Sequence, residues 1–413
     1  MTRLAVFVLA FAACSSSAPK DPVSELQDPS TCGDCHMQHY QEWSSSMHAY
    51  ASVDPVFVAM NKRGQRDTQN QLGTFCVQCH APMAVALGLT DGTSFDPTML
   101  PAAASGVTCY FCHDVKSVEA DHNNGLVIAL DQTMRGGVSN PVETPAHDSK
   151  YDPTLMASES NQSTMCGSCH DVVTPSPPSP TAVPLERTYA EWQATIFATT
   201  PPPTGITCSG CHMSTGFVEP PTTVIADKPG LNVKSRPNSF HEHLWLGIDQ
   251  AMTPFPGTAA MPPPAPALTQ AQAIARDLDP ALTIVGATPL GDNDGQIGPG
   301  FIEGGICVTH EETITVRMDT RGTGHMWPSG ASQDRRAWLQ MIAYDASNQV
   351  LFQTGVVPDG MDPEDIGDPN LVGFWDQAYQ ADGTTPAHFF WQVASEQSKL
   401  MKPPVTLNMT SPL

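Results

Sequence analysis

Cys32-Gly33-Asp34-Cys35-His36 is the first of five Cys-x-x-Cys-His runs in the first half of this chain. The others are Cys76-Val77-Gln78-Cys79-His80, Cys109-Tyr110-Phe111-Cys112-His113, Cys166-Gly167-Ser168-Cys169-His170 and Cys208-Ser209-Gly210-Cys211-His212. Two cysteines three apart can form thioethers to the two vinyl groups of one porphyrin. The next histidine then lies under the iron, the pattern of c-type haem attachment. A single Cys-x-x-Cys would equally suit half of a zinc site, or a redox pair beside a βαβ unit. Five pairs do not divide into four-cysteine sites, no βαβ alternation surrounds them, and neither chemistry explains a histidine at the same offset every time. Ten of the twelve cysteines are used in this way. The expected cofactors are therefore five haems c, each held by two cysteines and ligated by His36, His80, His113, His170 or His212.

The N-terminal end reads as a targeting segment. Arg3 precedes an apolar run from Leu4 to Ala13, which suits the short hydrophobic region of a secretory signal. That run is about half of the roughly 20 residues needed to span a bilayer. No other stretch is long and apolar enough, so no transmembrane helix is expected after processing. Cys14 follows Ala12-Ala13 and precedes three serines. This resembles the lipobox of bacterial lipoproteins, with Phe11 where leucine is usual, and implies an acylated Cys14. Each buried CH₂ contributes about 0.8 kcal/mol to membrane binding, and stable anchoring takes more than one chain. The expected location is the outer membrane, facing the periplasm or the cell surface, or otherwise the periplasm.

The net charge of −23 excludes nucleic acid as a natural partner, because phosphate binding relies on Lys and Arg. Two uses of the acidity stay open: solubility, and steering toward a basic redox partner. Other redox proteins of the envelope are the expected partners.

The motifs divide the chain. Residues 1–14 read as the signal, 15–30 as a flexible tether and 31–252 as a pentahaem domain. That domain is expected to be mainly α and irregular, with short helices, long loops and very little sheet packed around porphyrins. Proline runs at Pro175–Pro184, Pro201–Pro203 and Pro220–Pro221 agree, since proline interrupts regular structure. Residues 253–280 read as a Pro-rich linker with a short helix from Thr269 to Asp277. Beyond it, Ile314, Val316 and Met318 alternate with polar residues as on a half-buried strand. Ala337–Tyr344 and Val350–Thr354 flank the turn-rich Asp345–Gln349 as in a hairpin. A small antiparallel β domain, sandwich-like, is expected over 281–413.

Nine of the fourteen histidines remain as candidates for the second axial position, whose identity sets reactivity and potential. His241 and His243 lie two apart, so on an extended segment both face one side. One of them is expected to ligate, with His241 preferred. His122, in a loop, and His325, in a Gly-rich loop of the β domain, are further candidates. His39 follows His36 by three and is expected at the surface. His310 and His388 read as ordinary β-domain residues. The methionines are mostly packing residues, and Cys307 reads as a small buried one.

Several segments resemble the cytochrome c-554-type multihaem proteins. They are Cys32–His36 with Tyr40, Trp43, Ser46 and His48-Ala49; Gly106-Val107-Thr108-Cys109; Pro145-Ala146-His147; and Arg187-Thr188-Tyr189-x-Glu191-Trp192 leading to Cys208–Met213. Gly324-His325, Pro328-Ser329-Gly330 and Arg335-Arg336-x-Trp338-Leu339 resemble a β module often appended to such cytochromes. The resemblance implies closely stacked haems passing electrons, mostly with two histidines on each iron, and His48 and His147 as distal ligands. Some members keep a five-coordinate haem. The tetrahaem pattern is exceeded here by a fifth motif and the β module.

Two functions follow as expectations. The first is a pentahaem electron-transfer protein with no catalytic residue. The alternative is a pentahaem reductase of a small nitrogen or oxyanion substrate at one five-coordinate haem. The ammonia-forming nitrite reductases also carry five haems but place Lys after one Cys-x-x-Cys, whereas this chain has His five times.

Overall fold

The computed structural model describes residues 22–137, 150–152, 159–199, 205–213, 225–226, 241–245, 247–255, 270–278, 281–289, 314–320 and 322–403. Cys14, His147, Cys307 and His310 lie outside the described residues.

The motif-bearing half is built of short helices joined by long loops. Pro22–Gln27, Pro29–Gly33, Met37–Ser44 and Met47–Tyr50 follow one another closely, and Pro55–Asp67 is the longest described helix. Proline at the first position and an aspartate before it start two of these. Asp28 accepts from the Ser30 N–H, and Asp54 from the Val56 N–H, each satisfying an otherwise orphaned donor. Val77–His80, Cys109–His113, Glu159–Gly167 and Cys208–His212 carry the later motifs.

This half holds more sheet than expected. Val115–Ala120 pairs antiparallel with Gly125–Ile128, Thr133–Arg135 pairs parallel with Lys150–Asp152, and Val172–Val173 pairs with Pro184–Glu186. The first pair is closed by Asn123 and Asn124, both at positive φ, a conformation asparagine tolerates better than most residues.

Among the described residues beyond 280, strands pair two by two, all antiparallel. Thr283–Pro289 pairs with Ile314–Asp319, and Asp376–Tyr379 with Ser395–Ser398. The expected hairpin forms between Met341–Tyr344 and Val350–Thr354. Its turn is held by Asp345, whose carboxylate accepts from the N–H groups of Ser347 and Gln349, both at 2.8 Å. The run expected to be its first arm is split, however. Ala337–Leu339 turns away to pair with Val372–Phe374. The short linker helix spans Gln270–Leu278. No helix among the described residues is long and apolar enough to cross a membrane.

Two apolar clusters hold these pieces. One gathers Phe57, Val77, Met83, Tyr110 and Phe111 around the second and third motifs. The other joins Val183 and Leu185 to Ala378 and Val393, so the β segments pack onto the chain between the fourth and fifth motifs. Polar contacts reinforce that junction: the Thr188 and Ser329 hydroxyls are 2.7 Å apart, and Ser179 donates to the Phe390 carbonyl.

Candidate haem-attachment site

In the second, third and fifth motifs the second cysteine and the histidine lie on one helical turn, whereas in the first and fourth the helix ends at Gly33 and Gly167, just before the second cysteine. Threonine starts two of these turns. Thr108 accepts from the Phe111 N–H, and Thr207 from the Gly210 N–H. The motifs are adjacent in space. The side chains of Cys32 and Cys109 adjoin each other, as do those of Cys166 and Cys208, and of Cys79 and Cys169. The first motif therefore stands against the third, and the fourth against both the second and the fifth.

The imidazoles are oriented through Nδ1. His36 hydrogen-bonds the Ile225 carbonyl at 2.7 Å, His80 that of Ala51 at 3.2 Å, and His113 that of Arg135 at 2.7 Å. A carbonyl only accepts, so Nδ1 carries the proton and Nε2 keeps its lone pair, the state a metal ligand requires. Burial lowers His80 and His113 and pushes His170 down to about 4, which holds these three rings neutral.

Three further imidazoles face motif histidines. The His325 and His212 rings lie 6.2 Å apart and 8° from parallel. The His48 and His170 rings are also 6.2 Å apart, tilted by 48°, and His243 lies 6.5 Å from His113 at 20°. Two imidazoles bound from opposite sides of one metal, with bonds of about 2 Å each, have ring centres roughly 6 Å apart. The three pairs fit that requirement. His325 and His243 also bond carbonyls through Nδ1, those of Met326 and His241. Burial takes His48 down to about 3 and lowers both His325 and His243.

Alternative chemistries for the cysteines find less support. None of the ten described motif cysteines is joined to another in a disulfide. Among the described residues no group of three or more His, Cys, Asp or Glu side chains is arranged to hold a metal ion.

Residues 31–114 match the family described as cytochrome c554 and c-prime. That match covers the first three motifs and supports a c-type cytochrome with covalently bound haem c, its iron, and a role in electron transfer. No curated protein and no solved structure matches this chain.

The candidate distal residues are distributed as follows. His48 and His325 face motif histidines. Of the neighbouring pair, His243 faces His113, while the His241 side chain is exposed and its carbonyl receives the His243 Nδ1–H. His122 lies at the tip of the Val115–Ile128 hairpin, 3.0 Å from the Asp121 carboxylate. His39 is not a surface residue. Its ring packs edge-on against His36 at 6.0 Å and His243 at 4.6 Å, and burial takes it down to about 3.

The family-like residues between the motifs belong to the same arrangement. Gly106 has φ +72°, and a Cβ there would lie 2.6 Å from the His48 and Ala49 carbonyl oxygens. The next residue, Val107, donates its N–H to His48 O at 2.9 Å. Glycine is thus required where the third motif docks on the backbone that carries His48. Sequence reading missed the role of Glu42 and Glu191, two buried carboxylates. Glu42 accepts from Gln38 and from the His243 N–H, and Glu191 from Ser329 and the Met326 N–H.

Proposed function

We propose that this chain is a pentahaem c-type cytochrome of the bacterial cell envelope, tethered by lipid at Cys14, that exchanges electrons with other envelope redox proteins. The observation that carries this reading is the set of three imidazole pairs, led by His212 and His325. Two imidazoles on one iron leave no position for substrate and favour electron transfer. When bound, haem c supplies a one-electron iron couple, and haems held close together pass electrons from one to the next. The chain's contribution is to hold the motifs adjacent, orient the ligands through backbone carbonyls, and bury the imidazoles so that they stay neutral. The cysteine contacts between the first and third, second and fourth, and fourth and fifth motifs support short separations within two groups, the first with the third and the second with the fourth and fifth. The acidic surface suits a basic partner.

Adding carbon monoxide to the fully reduced, purified protein tests this. An unchanged visible spectrum is expected if every iron carries two strong ligands. A change in about one haem of five supports the second reading, a reductase of a small nitrogen or oxyanion substrate. The observation favouring that reading sits at the second motif. The ring against His80 is that of Phe57, stacked at 4.0 Å and 2° from parallel, which flanks the imidazole and is not a ligand.

A further inference from the structure

Two stretches of the chain, far apart in sequence, make the same set of contacts. The first contains Cys32-Gly33, Tyr40-Gln41-Glu42-Trp43 and Val107-Thr108-Cys109. The second contains Cys166-Gly167, Tyr189-Ala190-Glu191-Trp192 and Ile206-Thr207-Cys208. In each, the tyrosine ring lies against the glycine that follows the first cysteine. A Cβ on Gly33 would meet the Tyr40 ring, and one on Gly167 the Tyr189 ring. In each, the tryptophan indole N–H donates to the carbonyl two residues before the second motif of the pair: Trp43 to Val107 at 2.7 Å, Trp192 to Ile206 at 3.0 Å. In each, a threonine caps that motif's helix, and the leading cysteines of the two motifs adjoin, Cys32 with Cys109 and Cys166 with Cys208.

The glutamates complete the correspondence. Glu42 and Glu191 are both buried, at 8% and 4% exposure. Glu42 accepts the backbone N–H of His243 at 2.9 Å, and Glu191 that of Met326, the residue after His325, at 3.1 Å. His243 faces the histidine of the third motif and His325 that of the fifth. Each carboxylate therefore fastens a segment arriving from far along the chain, bringing an imidazole to the second motif of its pair. A buried carboxylate is costly unless its lone pairs are filled. Here the second oxygen of Glu42 takes Gln38, and Ser329 adds to Met326 on Glu191.

We propose that motifs one and three, and motifs four and five, are two copies of one two-haem unit, and that Glu42 and Glu191 are its equivalent positioning residues, fixing the facing imidazoles His243 and His325. This rests on the reading of those histidines as ligands. Neither glutamate touches the iron position; each acts through the backbone of the ligand segment.

The test uses the full-length, haem-loaded protein and its carbon monoxide difference spectrum after full reduction, with haem content measured in parallel. Glu42→Ala and Glu191→Ala are each expected to add a carbon monoxide signal of about one haem in five over the parent, and the double variant about two. Glu42→Gln and Glu191→Gln, which keep an oxygen acceptor for the N–H, are expected to match the parent. Should an alanine variant fail to accumulate, Glu42→Asp and Glu191→Asp, which withdraw the carboxylate by one methylene, are expected to open the same haem. Alanine or aspartate variants with full haem content and no added signal overturn the proposal. His243→Ala and His325→Ala serve as controls. If they too add no signal, the assignment of those histidines as ligands has failed, and not the role of the carboxylates.

Discussion

The imidazole of His325 lies parallel to that of His212, with centres 6.2 Å apart. One ring is carried on the Cys208–His212 helix and the other on a loop of the β segments. Removing the second ring separates ligation from packing. In His325→Ala the fifth motif keeps His212, so about one haem in five is expected to become high-spin and to bind carbon monoxide, with haem content unchanged. His48→Ala is expected to do the same at the fourth motif. A variant spectrum identical to the parent's would show that these rings merely pack.

Gly106→Ala tests the docking of the third motif on the distal segment. The glycine has φ +72°, and an added Cβ would press on the His48 and Ala49 carbonyl oxygens. Left-handed backbone for a residue with Cβ costs on the order of 1–2 kcal/mol, and the clash with fixed backbone adds to it. A loss of at least about 2 kcal/mol in urea unfolding is expected. The His48 haem should also become partly reactive to carbon monoxide, because the displaced carbonyl belongs to His48 itself. A stability within a few tenths of the parent would refute the docking argument.

Much of this site was legible in the sequence, for a physical reason. Cys-x-x-Cys-His is a local pattern in which neighbouring residues supply all three groups, so its chemistry survives without knowledge of the fold. The hairpin of Met341–Tyr344 and Val350–Thr354 was legible for the same reason, with Asp345 supplying the turn. Long-range relations were not. His243 rather than His241 meets His113 because Glu42 holds the His243 N–H, and nothing local to Phe240–Leu244 distinguishes the two histidines. His39 resembled a surface residue by its spacing from His36, yet His243 arrives from another segment and covers it. The repeated Tyr-x-Glu-Trp followed by Val or Ile-Thr-Cys was visible in the sequence. Its meaning depended on seeing both tryptophans reach the carbonyl two residues before a cysteine.

Trp43→Phe and Trp192→Phe remove one hydrogen bond from each unit while keeping most of the ring's bulk. The Val107 and Ile206 carbonyls would lose their indole donors. A net hydrogen bond is worth about 1 kcal/mol, and a buried acceptor left without a partner costs about 1–3 kcal/mol. Trp43 is buried and Trp192 only partly so, so Trp43→Phe is expected to destabilise more than Trp192→Phe, by roughly 2 against 1 kcal/mol in denaturant unfolding. No effect in either variant would count against a stabilising hydrogen bond at that position.

From about pH 5 to above 8 Glu396 is expected to contribute a loss of stability as pH rises, opposite in sign to the contribution of the buried histidines, whose lowered values make the acid side less stable. Burial, together with the nearby Asp376 and Glu191 carboxylates, raises Glu396 from 4.5 to about 8, only partly offset by Arg187. Its Oε1 is buried with no hydrogen-bond partner, as is Oδ1 of Asp376, so a proton there removes a repulsion. Between 4.5 and about 8 the folded chain holds a proton that the unfolded chain has released. At this group the folded state therefore binds more protons than the unfolded one, and its contribution to stability drops with rising pH across that window. Each tenfold gain in proton affinity on folding corresponds to about 1.4 kcal/mol. Reduced because the side chain is partly exposed to solvent, the change is roughly 2 kcal/mol. Urea midpoints of the parent and of Glu396→Gln at about pH 5 and pH 8.5, on either side of that window, isolate it from the histidines. Glu396→Gln, uncharged at both values, is expected to raise the alkaline midpoint relative to the parent's by more than it changes the acid one. A variant whose alkaline midpoint is no higher, relative to the parent, than its acid one would refute the sign of this assignment.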